Sequence, residues 1–188
     1  MGASAAVRDE LARQEGAQQR DDDALLLSRH LQGDSQAFPE LIVRFGPLVY
    51  TVVGRYSLTS EERDDVFQDV FVRVHRAAAT YQPEKPLKPW LLTIAINTAR
   101  SYLSRTRGRE VSDAGRAALH LVSSQPSSQD LLEASRTLRW LVCQLDALPL
   151  EQREVILLCC VHHLGMQEAA EVLAIPVGTV KTHLRKAR

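Results

Sequence analysis

The sequence predicts an all-α protein made of two small helical domains that a flexible linker joins. Nearly every apolar segment repeats at the helical spacing of three or four residues, and no stretch alternates as a half-buried strand does. This periodicity dissolves between residues 108 and 130, where Ser123–Gln129 is polar and contains a proline. We therefore expect domains at 21–107 and 131–188, a linker at 108–130 and a disordered tail at 1–20.

The helix candidates follow each other with clear breaks at glycine and proline. Thr59-Ser-Glu-Glu62 is a capping-box pattern, and Pro89 suits the first turn of a helix. Fully extended, a linker of this length reaches ~80 Å, so the two domains need not touch each other. The expected helices are 22–31, 35–56, 60–79, 89–107, 131–147, 150–163, 166–174 and 177–188.

The third helix has a buried and an exposed face. Its apolar stripe comprises Val66, Phe67, Val70, Phe71 and Val74. An apolar Val72 among charged neighbours suits a protein-binding surface, although an ordinary solvated face with one stray valine is the alternative. The residues of this opposite face are Asp65, Gln68, Asp69, Val72, Arg73 and Arg76.

The fourth helix follows a basic, proline-rich loop that contains Lys85 and Lys88. Its core stripe is Leu91, Leu92, Ala95, Ile96, Ala99, Tyr102 and Leu103. An exposed Trp90 with an amide, hydroxyls and cations nearby suits stacking on an unpaired base, reading its edge and holding its phosphates. The alternative is that Trp90 caps the local core. The polar residues meant are Asn97, Arg100, Ser101 and Arg105.

The last two helices form a helix-turn-helix pattern across Ala174-Ile175-Pro176. Val177, Val180, Leu184 and Ala187 fall on one side of the final helix, and hydroxyls and cations fall on the other. Such a helix is suited to a DNA groove. Its donor and cation residues are Thr179, Thr182, Arg185 and Lys186, with Lys181 and His183 at the edges of this face.

Composition excludes several classes of protein. Lys+Arg and Asp+Glu are 23 each, so nucleic-acid binding must come from local basic patches. No run approaches the ~20 apolar residues of a membrane helix, and the first 20 residues lack the apolar core of a signal peptide. Three cysteines do not suggest a disulfide framework, so we expect a cytoplasmic protein with reduced thiols and no membrane insertion.

No catalytic, cofactor or metal site is expected. Cys159, Cys160, His162 and His163 are packed into five residues and point apart, whereas zinc ligands usually come in separated pairs. Cys143 joins them only through a tertiary contact. Buried, apolar packing is the usual role for such cysteines. Phosphate-binding glycine loops and hydrolase motifs are absent from the sequence, so we expect no enzyme.

In this order, the segments resemble the extracytoplasmic-function (ECF) group of bacterial sigma-70 factors. The resemblance covers about residues 23–188 apart from the linker, as a sigma-2-like domain followed by a sigma-4-like domain. The sigma-2-like motifs are Gly33–Phe38, Asp64–Val74 and Pro89–Asn97. The sigma-4-like motifs are Leu148–Arg153, Gln167–Ala174 and Val177–Lys181.

The resemblance implies an alternative sigma factor, with core RNA polymerase (β′ clamp helices and β flap), promoter DNA and an anti-sigma factor as partners. The face from Asp65 to Arg76 would bind core polymerase. Lys85, Lys88, Trp90, Asn97, Arg100, Ser101 and Arg105 would melt and read the −10 element. Thr179, Lys181, Thr182, Arg185 and Lys186 would read the −35 element.

Three alternatives remain open at this point. A stand-alone helix-turn-helix regulator would bind a palindromic duplex without polymerase. A recombinase would need an α/β domain with a nucleophile, which the helical N-terminal half does not predict. A metal-sensing sigma factor would use Cys159 and its neighbours.

Overall fold

The fold of the chain is helical. The computed structural model describes residues 22–56, 58–107, 144–145 and 147–186. In the N-terminal unit (residues 22–107), α1 covers 22–31, α2 covers Ala37–Val53, α3 covers Ser60–Ala77 and α4 covers Leu87–Arg107. In the C-terminal unit (residues 144–186), α5 covers Leu150–Ile156, α6 covers Met166–Leu173 and α7 covers Val177–Lys186. No strand occurs in these described ranges, which confirms the all-α class.

The N-terminal unit is a bundle in which α2, α3 and α4 pack against one another. The stripes that periodicity predicts on α3 and α4 supply its core, because Val66, Val70 and Val74 are buried together with Leu91, Leu92 and Ile96 of α4. Phe67, Tyr102 and Leu103 pack at the edge of this core rather than inside it. The predicted stripes thus lie on the core-facing sides of α3 and α4.

The capping box predicted at the start of α3 is confirmed. The Glu62 amide donates to Thr59 Oγ1 at 3.2 Å, and the Thr59 amide donates to a Glu62 carboxylate oxygen at 2.8 Å. These bonds satisfy two amides that the first turn of a helix leaves without partners. Helix α4 begins at Leu87, two residues earlier than predicted, so Pro89 lies inside its first turn.

In the C-terminal unit, α7 packs against both α5 and α6. Helix α5 continues into a π-helical turn, Leu157–Val161, so its α-helical part is shorter than the predicted 150–163. The chain leaves this turn at His163, which has a φ of 56°. Of the predicted helix 131–147, Gln144, Leu145 and Ala147 are helical, and the rest lies outside the described residues, as do the tail and the linker.

The two units contact each other. Helix α6 packs on α4, and the buried apolar side chains of both units belong to one cluster. The length of the linker would allow the two units to lie apart, but in this structure they contact each other and share a core. The arrangement places the start and the middle of α4 beside the C-terminal unit.

Candidate protein- and nucleic-acid-binding surfaces

The outer side of α3 forms a mixed polar and apolar surface. Val72 is 46% exposed, although it is a large apolar residue. Arg73 Nε donates to Asp69 at 3.0 Å, one helical turn away. Asp69, Arg73 and Arg76 line a shallow depression together with Ala77. We call the predicted set Asp65, Gln68, Asp69, Val72, Arg73 and Arg76 the α3 surface; it faces outward, with Asp69 half-buried.

The exposed side of α4 carries a regular row of polar side chains. Asn97, Ser101 and Arg105 are exposed at intervals of four residues, which places them on one helix face. Arg105 Nε donates to the Ser101 carbonyl oxygen at 3.3 Å. An amide, a hydroxyl and a guanidinium in one row can hydrogen-bond base edges and phosphates.

Trp90 is half-buried and packs against the core, which is closer to the alternative interpretation of this residue. Its ring lies 5.3 Å from the ring of Tyr81, centroid to centroid. The Tyr81 hydroxyl donates to the carbonyl oxygen of Lys85 and so anchors the loop that precedes α4. Lys85 itself is exposed. Sequence reasoning missed Tyr81, whose only signal was an aromatic residue just before the proline-rich loop.

Two predicted DNA-binding cations of α4 contact the C-terminal unit. Lys88 Nζ donates to the carbonyl oxygen of His162 at 2.7 Å, and its burial lowers the pKa of the ammonium group. Arg100 Nε donates to Glu154 at 3.0 Å, and Nη2 donates to the other oxygen of the same carboxylate. This bidentate bonding raises the pKa of Arg100.

Glu154 and Tyr56 are functional candidates that the sequence did not reveal. The Tyr56 hydroxyl donates to Glu154 Oε1, and burial raises the pKa of Tyr56 far above its usual range. The two residues are 98 positions apart in the chain. No local pattern indicates a contact of that range.

Helix α7 presents a basic surface. Val180 is fully buried, while Lys181, Arg185 and Lys186 are exposed on the other side. Thr179 and Thr182 are half-buried, and the Thr182 hydroxyl donates to the Gly178 carbonyl oxygen at 2.9 Å. The structure thus separates the docking stripe of α7 from its cations, as the helical wheel predicts.

The turn between α6 and α7 fixes the angle at which α7 is presented. Ala174 has φ 55° and ψ 43°, the left-handed conformation that commonly ends a helix. The Ile175 amide donates to the Ala170 carbonyl oxygen at 3.0 Å, and the Ala174 amide donates to that of Glu171 at 3.2 Å. This pair of bonds is a Schellman motif. Pro176 directly precedes the first residue of α7.

The cysteines differ from the expected buried packing. Cys160 is exposed and Cys159 is half-buried, with burial raising the pKa of the Cys159 thiol. Cys143 lies outside the described residues. Among residues 22–56, 58–107 and 144–186 where described, no three metal-ligating side chains converge. Within the same part of the chain, no helix combines the length and apolarity that crossing a membrane requires.

Two family models match the chain in the order of its two units. Residues 41–109 match Sigma-70 region 2, and residues 138–188 match Sigma-70, region 4. The ECF RNA polymerase sigma-E factor of Escherichia coli (strain K12) is 31% identical over 174 residues, covering 88% of this chain and 90% of the relative. The RNA polymerase sigma factor CnrH of Cupriavidus metallidurans is 27% identical, covering 89% and 91%.

Solved structures agree with this architecture. CnrH in complex with the cytosolic domain of CnrY aligns with a TM-score of 0.63 at 27% identity, covering 88% of this chain and 92% of that one. The sigma factor RpoE in complex with the anti-sigma factor NepR from Bartonella quintana also aligns with a TM-score of 0.63. Its identity is 26%, and the match covers 80% of this chain and 91% of RpoE.

Proposed function

The chain belongs to the ECF RNA polymerase sigma factors, and from that membership we propose how its surfaces divide the work of transcription initiation. A sigma factor gives core RNA polymerase its promoter specificity. The N-terminal unit, as part of a domain at 21–107, holds core polymerase and the −10 element. The C-terminal unit, as part of a domain at 131–188, takes the −35 element, and residues 108–130 connect the two.

The α3 surface is the proposed contact for the β′ clamp helices. Val72 offers an exposed apolar anchor, while Asp65 and Arg76 offer charges of both signs beside it. An apolar centre with a polar rim is the usual composition of a protein interface. The C-terminal unit would meet the β flap, so both units would be fixed on one enzyme.

The row along α4 is the proposed −10 reader. Single-stranded bases are recognised by stacking and by hydrogen bonds to their edges, and Asn97 and Ser101 supply such bonds. Trp90, held by Tyr81, supplies an aromatic edge. Lys85, Lys88, Arg100 and Arg105 supply phosphate contacts. Capturing unstacked bases offsets the few kcal/mol of unstacking per step, so the protein needs no covalent chemistry of its own.

Helix α7 is the proposed −35 reader. Thr179 and Thr182 face the same side as Lys181, Arg185 and Lys186, and a helix with this face fits the major groove. The observation that carries the whole proposal is the pairing, on one chain, of the exposed polar row on α4 with the exposed basic face on α7. Control by an anti-sigma factor is proposed from the similar sigma factor RpoE, whose structure contains the anti-sigma factor NepR. A cytoplasmic location is proposed from the role in transcription.

Reconstituted transcription tests this proposal. Purified chain and core polymerase are incubated with fragmented genomic DNA, and transcript 5′ ends are mapped. We expect a defined set of start sites that share two upstream elements, and loss of those starts in Asn97→Ala, with Gln32→Ala as an exposed amide control outside the proposed surfaces. A chain that binds a palindromic duplex tightly without polymerase, and yields no specific start, would contradict the proposal.

A further inference from the structure

The two units meet around one buried carboxylate. Glu154 of α5 is 2% exposed, and three donors from the N-terminal unit surround it. They are the hydroxyl of Tyr56 and the Nε and Nη2 atoms of Arg100. Tyr56 is itself buried. Separation of the units would remove all three of these hydrogen bonds together.

Further polar contacts flank this carboxylate. Arg153 Nη1 donates to the Arg55 carbonyl oxygen at 2.8 Å, and Lys88 Nζ donates to the His162 carbonyl oxygen at 2.7 Å. Buried charges of this kind contribute little net stability, but a charge that stays buried without its partner is costly. The contact therefore favours this packed arrangement of the two units over other packed arrangements. It does not need to hold the units together strongly.

The closed arrangement engages one proposed surface and leaves two others accessible. Arg100 and Lys88, both assigned to the −10 reader, have donors directed into the C-terminal unit. Val72 at the centre of the α3 surface remains exposed, and so do Arg185 and Lys186 on α7. A closed chain can thus meet core polymerase through α3, while its α4 surface lacks two of its cations.

We propose that the Glu154-centred contact is an autoinhibitory latch, which withholds Arg100 and Lys88 from promoter DNA until the C-terminal unit moves away from α4. The proposal rests on the promoter-binding role of α4 given above. Glu154 imitates a DNA phosphate, because a carboxylate and a phosphate both accept two parallel hydrogen bonds from one guanidinium. Arg100 cannot hold both at once.

The latch sets an order of events. Core polymerase binds the accessible α3 surface first, and docking of the C-terminal unit elsewhere on polymerase then breaks the bonds to Glu154. In the free chain, the apparent dissociation constant for DNA at α4 equals the intrinsic one divided by the open fraction. A chain that is open about one tenth of the time therefore binds about tenfold more weakly than an open one.

Pulsed electron paramagnetic resonance on the full chain tests the latch without polymerase or DNA. Spin labels are attached to unnatural residues introduced at Val43 of α2 and Glu171 of α6, both exposed, so that the native cysteines stay unlabelled. We expect one narrow distance population in the unsubstituted chain. Glu154→Ala should broaden the distribution and lengthen the mean distance.

Two further variants keep this result interpretable. Glu151→Ala makes the same substitution three residues earlier on α5, at an exposed position, and should leave the distances unchanged. Tyr56→Phe keeps the buried ring and removes one donor to Glu154, so it should broaden the distribution less than Glu154→Ala. If Glu154→Ala folds poorly by circular dichroism, Tyr56→Phe decides the outcome, and an unchanged distribution in it overturns the latch.

Affinity for a fluorescent single-stranded DNA 25-mer of mixed sequence supplies the second readout. We expect Glu154→Ala to bind on the order of tenfold more tightly than Glu151→Ala, which loses the same formal charge. Equal affinities with altered distances would overturn autoinhibition and leave a structural contact. If reconstituted transcription gave no promoter-specific transcripts, the proposed function would be contradicted. The measured distances would not be affected by that result.

Discussion

Helices α4 and α7 both carry basic and polar side chains. They differ in whether the basic side chains are bonded to other parts of the chain. In α4, Arg100 is paired with Glu154, and Lys88 donates to the His162 carbonyl oxygen. In α7, Lys181, Arg185 and Lys186 are exposed, and none of the ion pairs found in the described residues includes them. A similar chemical face is therefore restrained on one helix and accessible on the other.

The difference shows what a helical face does and does not determine. A face is local, since residues three and four apart share one side of a helix. Whether that side is available depends on partners far away in the sequence, such as Glu154, which is 54 positions from Arg100. Basic residues on a helix therefore indicate a capacity to bind DNA, while tertiary contacts decide when they can do so.

Large-to-small substitutions in the two cores should give the largest effect. Leu91→Ala in α4 and Leu158→Ala in the C-terminal unit each remove a fully buried side chain. We expect each to lower the free energy of unfolding by about 2–5 kcal/mol. Urea denaturation followed by circular dichroism should show one transition that both variants shift, because the buried residues form one cluster. Separate transitions, each moved by one variant, would mean that the units fold independently.

Substitution of the two proposed readers should have unlike effects on promoter binding. Asn97→Ala removes a proposed base-edge contact and should cost up to about 3 kcal/mol in open-complex formation, at cognate promoters most of all. Lys186→Ala removes a proposed phosphate contact, so binding should weaken across sequences and the salt slope should fall by about 1. Potassium permanganate footprinting and filter binding over a salt series measure the two. Identical losses of melting and duplex binding in both variants would contradict the division of roles.

Acid should destabilise the folded chain through the ring of His162, the residue whose carbonyl oxygen accepts from Lys88. Burial, with Lys88, His163 and Arg55 nearby, lowers the pKa of His162 to about 4. The unfolded histidine titrates near 6.5, so between these values the unfolded state binds more protons and stability falls as the pH falls. We expect a loss of about 2 kcal/mol between pH 7.5 and pH 5 in urea denaturation. The same pH series with His162→Gln should be flatter, and an equal slope would rule out His162 as the cause.

The smallest expected effect concerns the turn that presents α7. Ala174 adopts a left-handed conformation that costs a non-glycine residue roughly 1 kcal/mol. Ala174→Gly should therefore raise the free energy of unfolding by up to about 1 kcal/mol, with no change in DNA binding by α7. Ala170→Gly, within the same helix, should lower it by about the same amount. A destabilised Ala174→Gly variant would contradict the conformation assigned to this turn.

Local patterns could predict most of the fold and most of the exposed surfaces. They could not predict which side chains of those surfaces are bonded to distant parts of the chain. The buried stripe Val66–Val74, the capping box at Thr59 and the docking stripe of α7 around Val180 follow from short-range periodicity and from hydrogen bonds within one turn. The exposure of Cys160 and the π-helical turn were missed, because a cysteine in an apolar run resembles any core residue. The bonds from Arg100 and Lys88 could not be predicted, because their acceptors lie 54 and 74 positions away.

Arginine modification of the free chain tests most directly whether the proposed reader on α4 is restrained while the proposed reader on α7 is accessible. Phenylglyoxal reacts with free guanidinium groups, and mass spectrometry after proteolysis gives a rate for each arginine. We predict that Arg185 reacts on the order of tenfold faster than Arg100, as expected if Arg100 reacts from an open fraction of about one tenth. Glu154→Ala should bring the two rates together. Equal rates at Arg100 and Arg185 in the unsubstituted chain would contradict the account.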